Sequence, residues 1–275
     1  MGRLDQKTIT NKIAECLNTV RTMKPLVHNI TNYVVMNSTA NALLAIGAAP
    51  VMSHAESELE EMINIANALV INIGTLDDVW INSMKKAVNL AKHTNKPVVL
   101  DPVGAGATKL RTNTVIELLK KGKITVLKGN YGEISAVLGK EGKTRGVDTL
   151  EFSPTTAKKI VKKVSKKYGI ISVITGPTDF ISNGKVIIEL NNGVSLLEKI
   201  TGTGCMLASL IGAFVSVCDA LYGTTAAVAT MNIASEKAYE EAKLPGTFSV
   251  KLMDYLYKIN EKDIKERLNI KTITG

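Results

Sequence analysis

Five consecutive residues, Thr201, Gly202, Thr203, Gly204 and Cys205, run straight into a long apolar stretch closed by Asp219. Two glycines let the backbone turn tightly, and N–H groups converging on a helix start gain about half a unit of positive charge from the dipole. Gly202, Thr203 and Gly204 therefore form a candidate anion hole. Cys205 falls in the first helical turn, where a thiol's pKa drops below its usual value of about 8.5, so a proton-accepting thiolate is expected there. The competing account is that Cys205 is a small core residue, since free cysteines are among the most buried types.

A second set of polar residues follows short apolar runs. In an open parallel sheet, ligands sit beyond the carboxyl ends of the strands. Asp101 follows PVVL and begins DPVGAG, which suits metal or phosphate chemistry, although an Asp there can also cap a turn. Lys128 closes the next run and leads into GNYGEI. Asn130 and Glu133 lie three apart at a helix start, so they share a face and also match a capping box. Asp101 and Glu133 together would supply the oxygen donors of a Mg²⁺ site completed by waters and substrate phosphates. Thr175 and Gly176 close a further run in ITGPTD, where a nucleotide could pass or the chain simply turn.

Other phosphate and metal motifs fail on spacing. Gly142, Lys143 and Thr144 resemble the tail of a P-loop, but its first glycine would fall on Val137. Gly104 and Gly106 begin a GxG whose third glycine would fall on Lys109. His28, His54 and His93 lack zinc-ligand spacing, and GxSxG is absent.

The elements that must position these residues alternate. Helical periodicity covers 8–22, 37–46, 56–67, 77–93, 112–120 and 131–138, and Pro154 opens a lysine-rich helix. Apolar runs at 26–30, 49–52, 68–73, 98–101, 124–128 and 170–175 read as strands between them, and Asn183-Gly184 marks a hairpin joining 179–182 to 185–190. Two more helices are expected at 224–242 and 247–259, then a short helix or strand. Strands separated by helices give an α/β fold with a mostly parallel sheet, helices on both faces and antiparallel edge strands. The 139–146 stretch GKEGKTRG is the most loop-like, and no composition shift demands a domain boundary, so one domain over 1–275 is expected.

With 45% hydrophobic and 4% aromatic residues, the 275-residue chain can bury a substantial core. Cys16, Cys205 and Cys218 have no paired spacing, and the N-terminus lacks an apolar signal region, so a reducing, cytoplasmic setting is expected. Much of the +9 net charge lies in KKIVKKVSKK, where Ile160, Val161 and Val164 keep helical spacing and the lysines form a solvated face. Without stacking aromatics nearby, nucleic acid is not an expected partner. The apolar run after Cys205 is interrupted by Ser209 and Ser216 and falls short of the roughly 20 residues of a membrane span.

The ordered motifs PLVHNITNYVVMN, GAAPVMSHA, DPVGAG, GNYGEI, ITGPTD and TGTGC, spread over 26–220, resemble the hydroxyethylthiazole kinase family of the ribokinase-like superfamily. That resemblance implies a three-layer αβα kinase that phosphorylates the primary alcohol of hydroxyethylthiazole, with ATP as co-substrate and Mg²⁺ as cofactor, in thiamine biosynthesis. By position, Met52 and Gly202 match thiazole contacts, Lys128 and Thr175 match ATP contacts, and Asp101 and Glu133 match the metal carboxylates. Cys205 matches the residue nearest the substrate hydroxyl. Asn32, Met36, Asn37 and Met52 would line an apolar pocket for the ring, although Met36 is better suited to filling core. A homotrimer with sites between subunits is also implied.

Two features depart from wider patterns. The family commonly has Arg where this chain has Lys128, so phosphate contact would be by a point charge and not a fork. Ribokinase-like enzymes generally carry a basic Asp where this family has Cys. Two other classes remain open on sequence. An ATP-dependent hydrate dehydratase would need Asp in place of Cys205. A non-catalytic nucleotide-binding regulator would not need Asp101, Glu133 and Cys205 together.

Overall fold

The computed structural model describes residues 6–139 and 153–274. The expected loop-like stretch 139–146 lies, beyond Gly139, outside them. A helix α1 (Gln6–Met23) leads into β1 (Leu26–Ile30), α2 (Met36–Ile46) and β2 (Ala49–Met52). The alternation continues through α3 (Leu59–Ile65), β3 (Ala68–Asn72), α4 (Asp78–His93), β4 (Val98–Asp101), α5 (Lys109–Lys121), β5 (Val126–Asn130) and α6 (Tyr131–Val137). Then come α7 (Pro154–Tyr168), β6 (Ile171–Thr175) and the hairpin of β7 (Asp179–Ser182) and β8 (Val186–Leu190). A 3₁₀ helix (Ser195–Lys199) precedes α8 (Thr203–Val215), α9 (Ala220–Glu241), α10 (Pro245–Lys258), α11 (Glu261–Arg267) and β9 (Ile270–Thr274).

The strands form one nine-stranded sheet in the order β2-β1-β3-β4-β5-β6-β7-β8-β9. Pairings from β2 to β6 are parallel and those from β6 to β9 antiparallel, as the helix-strand alternation and late hairpin require. Period-two alternation splits the core between the two faces. Val70 and Val99 point to the side packed by α1, α2 and α8 to α11, whereas Leu69, Ile71, Val98 and Leu100 meet α3 to α7. The hidden helix α8 crosses the sheet so closely that a Cβ at Gly212 would lie 2.6 Å from Val70 Cγ2, a separation only glycine permits.

Several boundaries differ from expectation. The helix expected over 56–67 is confined to Leu59–Ile65, because residues 56–58 form a turn and Ala66 is already extended. The helix expected at 112–120 starts at Lys109, since the Thr108 side chain caps it by accepting from Arg111 N–H. The ambiguous tail is both a helix and a strand, and β9 completes the sheet edge against β8. The strand expected at 124–128 is displaced to Val126–Asn130 by its pairing, with Lys128 beside Val173 and Asn130 beside Thr175. Lys128 is therefore an inward-facing residue within a central strand and not its last residue. Among the described residues no helix is long and apolar enough to cross a membrane.

Candidate active site

The carboxyl ends of β1, β3, β4, β5 and β6 converge on the N-terminus of α8. Gly202 caps that helix with φ +89°, and a Cβ there would lie 2.6 Å from Val35 Cγ1, so both backbone and space demand glycine. Met206 N–H is the first to close a helical bond, 2.8 Å from Gly202 O. The N–H groups of Thr203, Gly204 and Cys205 precede it and have no intrahelical acceptor, so of the residues expected to form an anion hole Thr203 and Gly204 present such groups, whereas Gly202 is the cap.

Beside this helix start lies a continuous chain of hydrogen bonds. Asn32 Nδ2 contacts Cys205 Sγ at 3.6 Å and donates to Asn72 Oδ1 at 2.8 Å. Asn72 Nδ2 donates to Asp101 Oδ2 at 3.0 Å, and the Lys128 ammonium lies 3.5 Å from that same oxygen. Lys128 Nζ also donates to Gly204 O at 2.8 Å, returning the chain to α8. Asn32, Asn72, Asp101 and Lys128 are all buried.

Burial and charge set the protonation states. Burial pushes the Asp101 carboxyl up to about 6; Lys128 opposes this and Glu133 adds to it. Burial works against the Lys128 charge, yet Asp101, Cys205 and Glu133 together hold its pKa above the usual lysine value. The Cys205 thiol is pushed up, by burial first and Asp101 second, although Lys128, Asn72 and Asn32 pull the other way. The expectation of a lowered Cys205 pKa is thus overturned: the helix terminus does not outweigh desolvation of a thiolate beside a carboxylate.

Glu133 is both cap and neighbour of Asp101. Its Oε2 accepts from Asn130 N–H at 2.8 Å while Asn130 Oδ1 accepts from Glu133 N–H at 2.9 Å, the expected capping box. Its Oε1 accepts from Gly104 N–H at 2.9 Å, tying α6 to the loop after Asp101. Thr175 donates to Gly129 O at 3.4 Å and, with Asn130, Thr203 and Gly204, lines a cavity of about 530 Å³. Met52 ends β2 opposite Asn29, on the same sheet edge but outside the hydrogen-bonded chain. Met36 packs against the core under α3 to α7.

Two residues in this region are absent from the sequence reading. Asn72 was detectable, because it ends the apolar run ALVIN as Asp101 ends VVLD. Arg111, in α5, donates to Ile73 O, Val103 O and Gly74 O at 3.0, 2.7 and 2.8 Å, bracing the loops after β3 and β4. Nothing local to Arg111 marks it, since its acceptors are carbonyls of two distant loops.

Residues 17–262 match the model of the hydroxyethylthiazole kinase family. The chain belongs to the hydroxyethylthiazole kinase family. This kinase is 56% identical over 261 residues to the hydroxyethylthiazole kinase of Methanococcus vannielii, covering 95% of this chain and 98% of the relative. Its fold superposes on the solved hydroxyethylthiazole kinase structure from Pyrococcus horikoshii with a TM-score of 0.89 at 53% identity, covering 95% of this chain and 98% of that one. A ribokinase-like superfamily protein from Enterococcus faecalis, at 16% identity and TM-score 0.58 over 92% of this chain and 83% of its own, shares the fold. The kinase is thus a phosphotransferase of thiamine biosynthesis, with ATP as co-substrate.

Proposed function

We propose that the kinase transfers the γ-phosphoryl of ATP to the primary hydroxyl of hydroxyethylthiazole at the α8 N-terminus, with the whole chain working as one domain. The observation that carries this is the unbroken chain from Cys205 through Asn32 and Asn72 to Asp101 and Lys128 beside that terminus. A thiol, a buried cation and a buried carboxylate grouped beside one helix N-terminus that borders the 530 Å³ cavity support that reading.

The residues fit a bound Mg²⁺. Asp101 Oδ1 is buried without a hydrogen-bond partner among the described residues, an acceptor left for a ligand. Both Glu133 oxygens already accept a backbone N–H but retain a second lone pair each. Mg²⁺ is ordinarily held by one or two carboxylates together with waters and substrate phosphates, which Asp101 and Glu133 would supply in part. When bound there, the ion would offset phosphate charge.

The chain's own residues do the rest. The free N–H groups of Thr203, Gly204 and Cys205 would receive charge developing on the moving phosphoryl group, with Lys128 supplying a fixed positive charge beside Gly204. Gly202 and Met52 would flank the thiazole ring, Asn32 would orient the Cys205 thiol, and Thr175 would contact ATP. Phosphoryl transfer through a loose transition state depends chiefly on positioning and charge, so proton removal comes late. Cys205 takes the hydroxyl proton in the fraction of molecules whose thiol has ionised, a help to the rate and not an absolute need. The resemblance further supports a cytoplasmic homotrimer with sites between subunits, which sedimentation of the purified protein would test.

The deciding experiment incubates the protein with ATP, Mg²⁺ and hydroxyethylthiazole and follows product mass, with pyridoxal and hydroxymethylpyrimidine as parallel alcohols. Thiazole phosphate that disappears on chelation is expected. Turnover of another alcohol alone would retain the chemistry and overturn the substrate.

A further inference from the structure

The cavity beside the α8 N-terminus has a buried carboxylate in its wall, outside the chain that ends at Cys205. Asp179 opens β7, is 5% exposed, and both its hydrogen-bond donors are neutral. Gly176 N–H donates to Oδ1 at 3.1 Å and Asn232 Nδ2 to Oδ2 at 2.6 Å. Burial pushes this carboxyl up to about 6 against those two hydrogen bonds. A buried charge on neutral donors is destabilising unless something requires it. Capping the turn at Gly176 does not, since an Asn oxygen would accept the same N–H. The two donors reach separate oxygens, so a carboxylate presents an acceptor to each, whereas an Asn would turn its own NH₂ toward one of them.

The second donor shows what that achieves. Asn232, on α9, uses the same Nδ2 to donate to Asn192 O at 2.9 Å, so both amide hydrogens are committed. A flipped amide would set Oδ1 against the Asp179 carboxylate and the Asn192 carbonyl, two acceptors. The orientation is therefore fixed, and it leaves Asn232 Oδ1 with no partner among the described residues, though not sealed from solvent as the buried orphan atoms are. Asn232 lines the cavity together with Thr175, Gly176, Asn192, Gly193 and Thr203. Gly193, at φ +114°, would carry a Cβ only 3.3 Å from Asn232 Cγ, so the glycine allows the close approach of the 191–194 loop.

We infer that Asn232 is a nucleotide-binding residue whose Oδ1 accepts a hydrogen bond from an N–H or O–H donor of the nucleotide, and that Asp179 is a positioning residue that holds the amide in the accepting orientation. This rests on the reading of the cavity as the ATP site. The donor is the exocyclic amine of the base or a hydroxyl of the ribose, and the experiment separates them.

The test measures equilibrium binding of ATP, purine riboside triphosphate, 2′-deoxy-ATP and 3′-deoxy-ATP to the full-length protein with Mg²⁺. One analogue should bind at least roughly five-fold more weakly than ATP, and that difference should vanish in Asn232→Ala. Asp179→Asn should raise KM for ATP about ten-fold while kcat at saturating ATP and KM for the alcohol stay within about two-fold, a split that a merely structural role would not give. All three analogues binding like ATP would overturn the inference, and this result needs no variant to fold. An unchanged KM for ATP in folded Asp179→Asn overturns the positioning role. The expected binding pattern without thiazole phosphate would keep this site and defeat the proposed reaction; product with a flat pattern would do the reverse; no ATP binding at all would defeat both.

Discussion

Asn72 and Asp101 are register partners at the carboxyl ends of two adjacent parallel strands, and the Asn72 amide donates to Asp101 Oδ2 at 3.0 Å while its oxygen accepts from Asn32 at 2.8 Å. One side chain therefore joins the residue that contacts Cys205 to the carboxylate that faces Lys128. An amide suits this place because it donates on one side and accepts on the other.

Replacing Asn72 by Leu should leave Asn32 and Asp101 each short of a partner. Unsatisfied buried groups cost about 1–3 kcal/mol each, so stability should fall by that order and kcat by about ten- to a hundred-fold. Urea unfolding and steady-state kinetics check the two effects. A fully active Asn72→Leu would remove the bridge from the catalytic arrangement.

Cys205→Ser should lower kcat with little change in the KM for thiazole, because serine keeps the position and loses the ionisable thiol. Burial and Asp101 hold the wild-type thiol protonated at neutral pH, so kcat should climb as pH rises toward its ionisation. Cys205→Asp should stay active and lack that alkaline climb, the carboxylate already being charged. A Cys205→Ser enzyme turning over at the wild-type rate would refute the proton-accepting role.

Glu133→Gln separates metal binding from helix capping. Glutamine has one acceptor oxygen for the two N–H groups of Gly104 and Asn130, so a stability loss of about 1 kcal/mol is expected on capping grounds alone. If Glu133 also serves Mg²⁺, the concentration of Mg²⁺ giving half-maximal rate should rise. A lowered Tm with an unchanged Mg²⁺ titration would leave Glu133 a cap only.

Asp179 makes stability depend on pH in the less common direction. Its carboxyl is raised from 3.8 to about 6 in the folded protein, so between these values the folded state holds a proton that the unfolded chain has released. Stability from this group is therefore greatest below about pH 4 and declines as pH rises to about 6, by roughly 2–3 kcal/mol in all. Glu189, held below the usual range by Lys158 first, acts oppositely, so the comparison must be with Asp179→Asn under identical conditions. The difference in unfolding free energy between variant and wild type should shift in the variant's favour from about pH 4.5 to about pH 7, an interval that covers the larger part of that window. Parallel curves would contradict the assignment.

Much of the architecture was open to reading because it depends on local patterns. Apolar runs between helical periods dictated a parallel sheet, Asn183-Gly184 the edge hairpin, and the strand-end rule picked out Asp101 and Thr175. The motif order from PLVHNITNYVVMN to TGTGC was specific enough to indicate the family before any coordinate. Composition and spacing also set aside P-loop, zinc and nucleic-acid readings, since each of those needs residues at a spacing that this chain lacks.

What only the tertiary structure decided is which groups touch and in what protonation state. The shift of β5 to Val126–Asn130 followed from pairing with β6, a neighbour more than forty residues away in sequence, and it turned Lys128 inward onto Asp101 and Gly204. Cys205 looked like an activated thiol because a helix start was visible in the sequence and its buried surroundings were not. Asn72, Arg111, Asp179 and Asn232 act through partners brought in from other elements. Periodicity is a property of neighbours along the chain, whereas desolvation and hydrogen bonding depend on neighbours in space, and only the folded chain sets those.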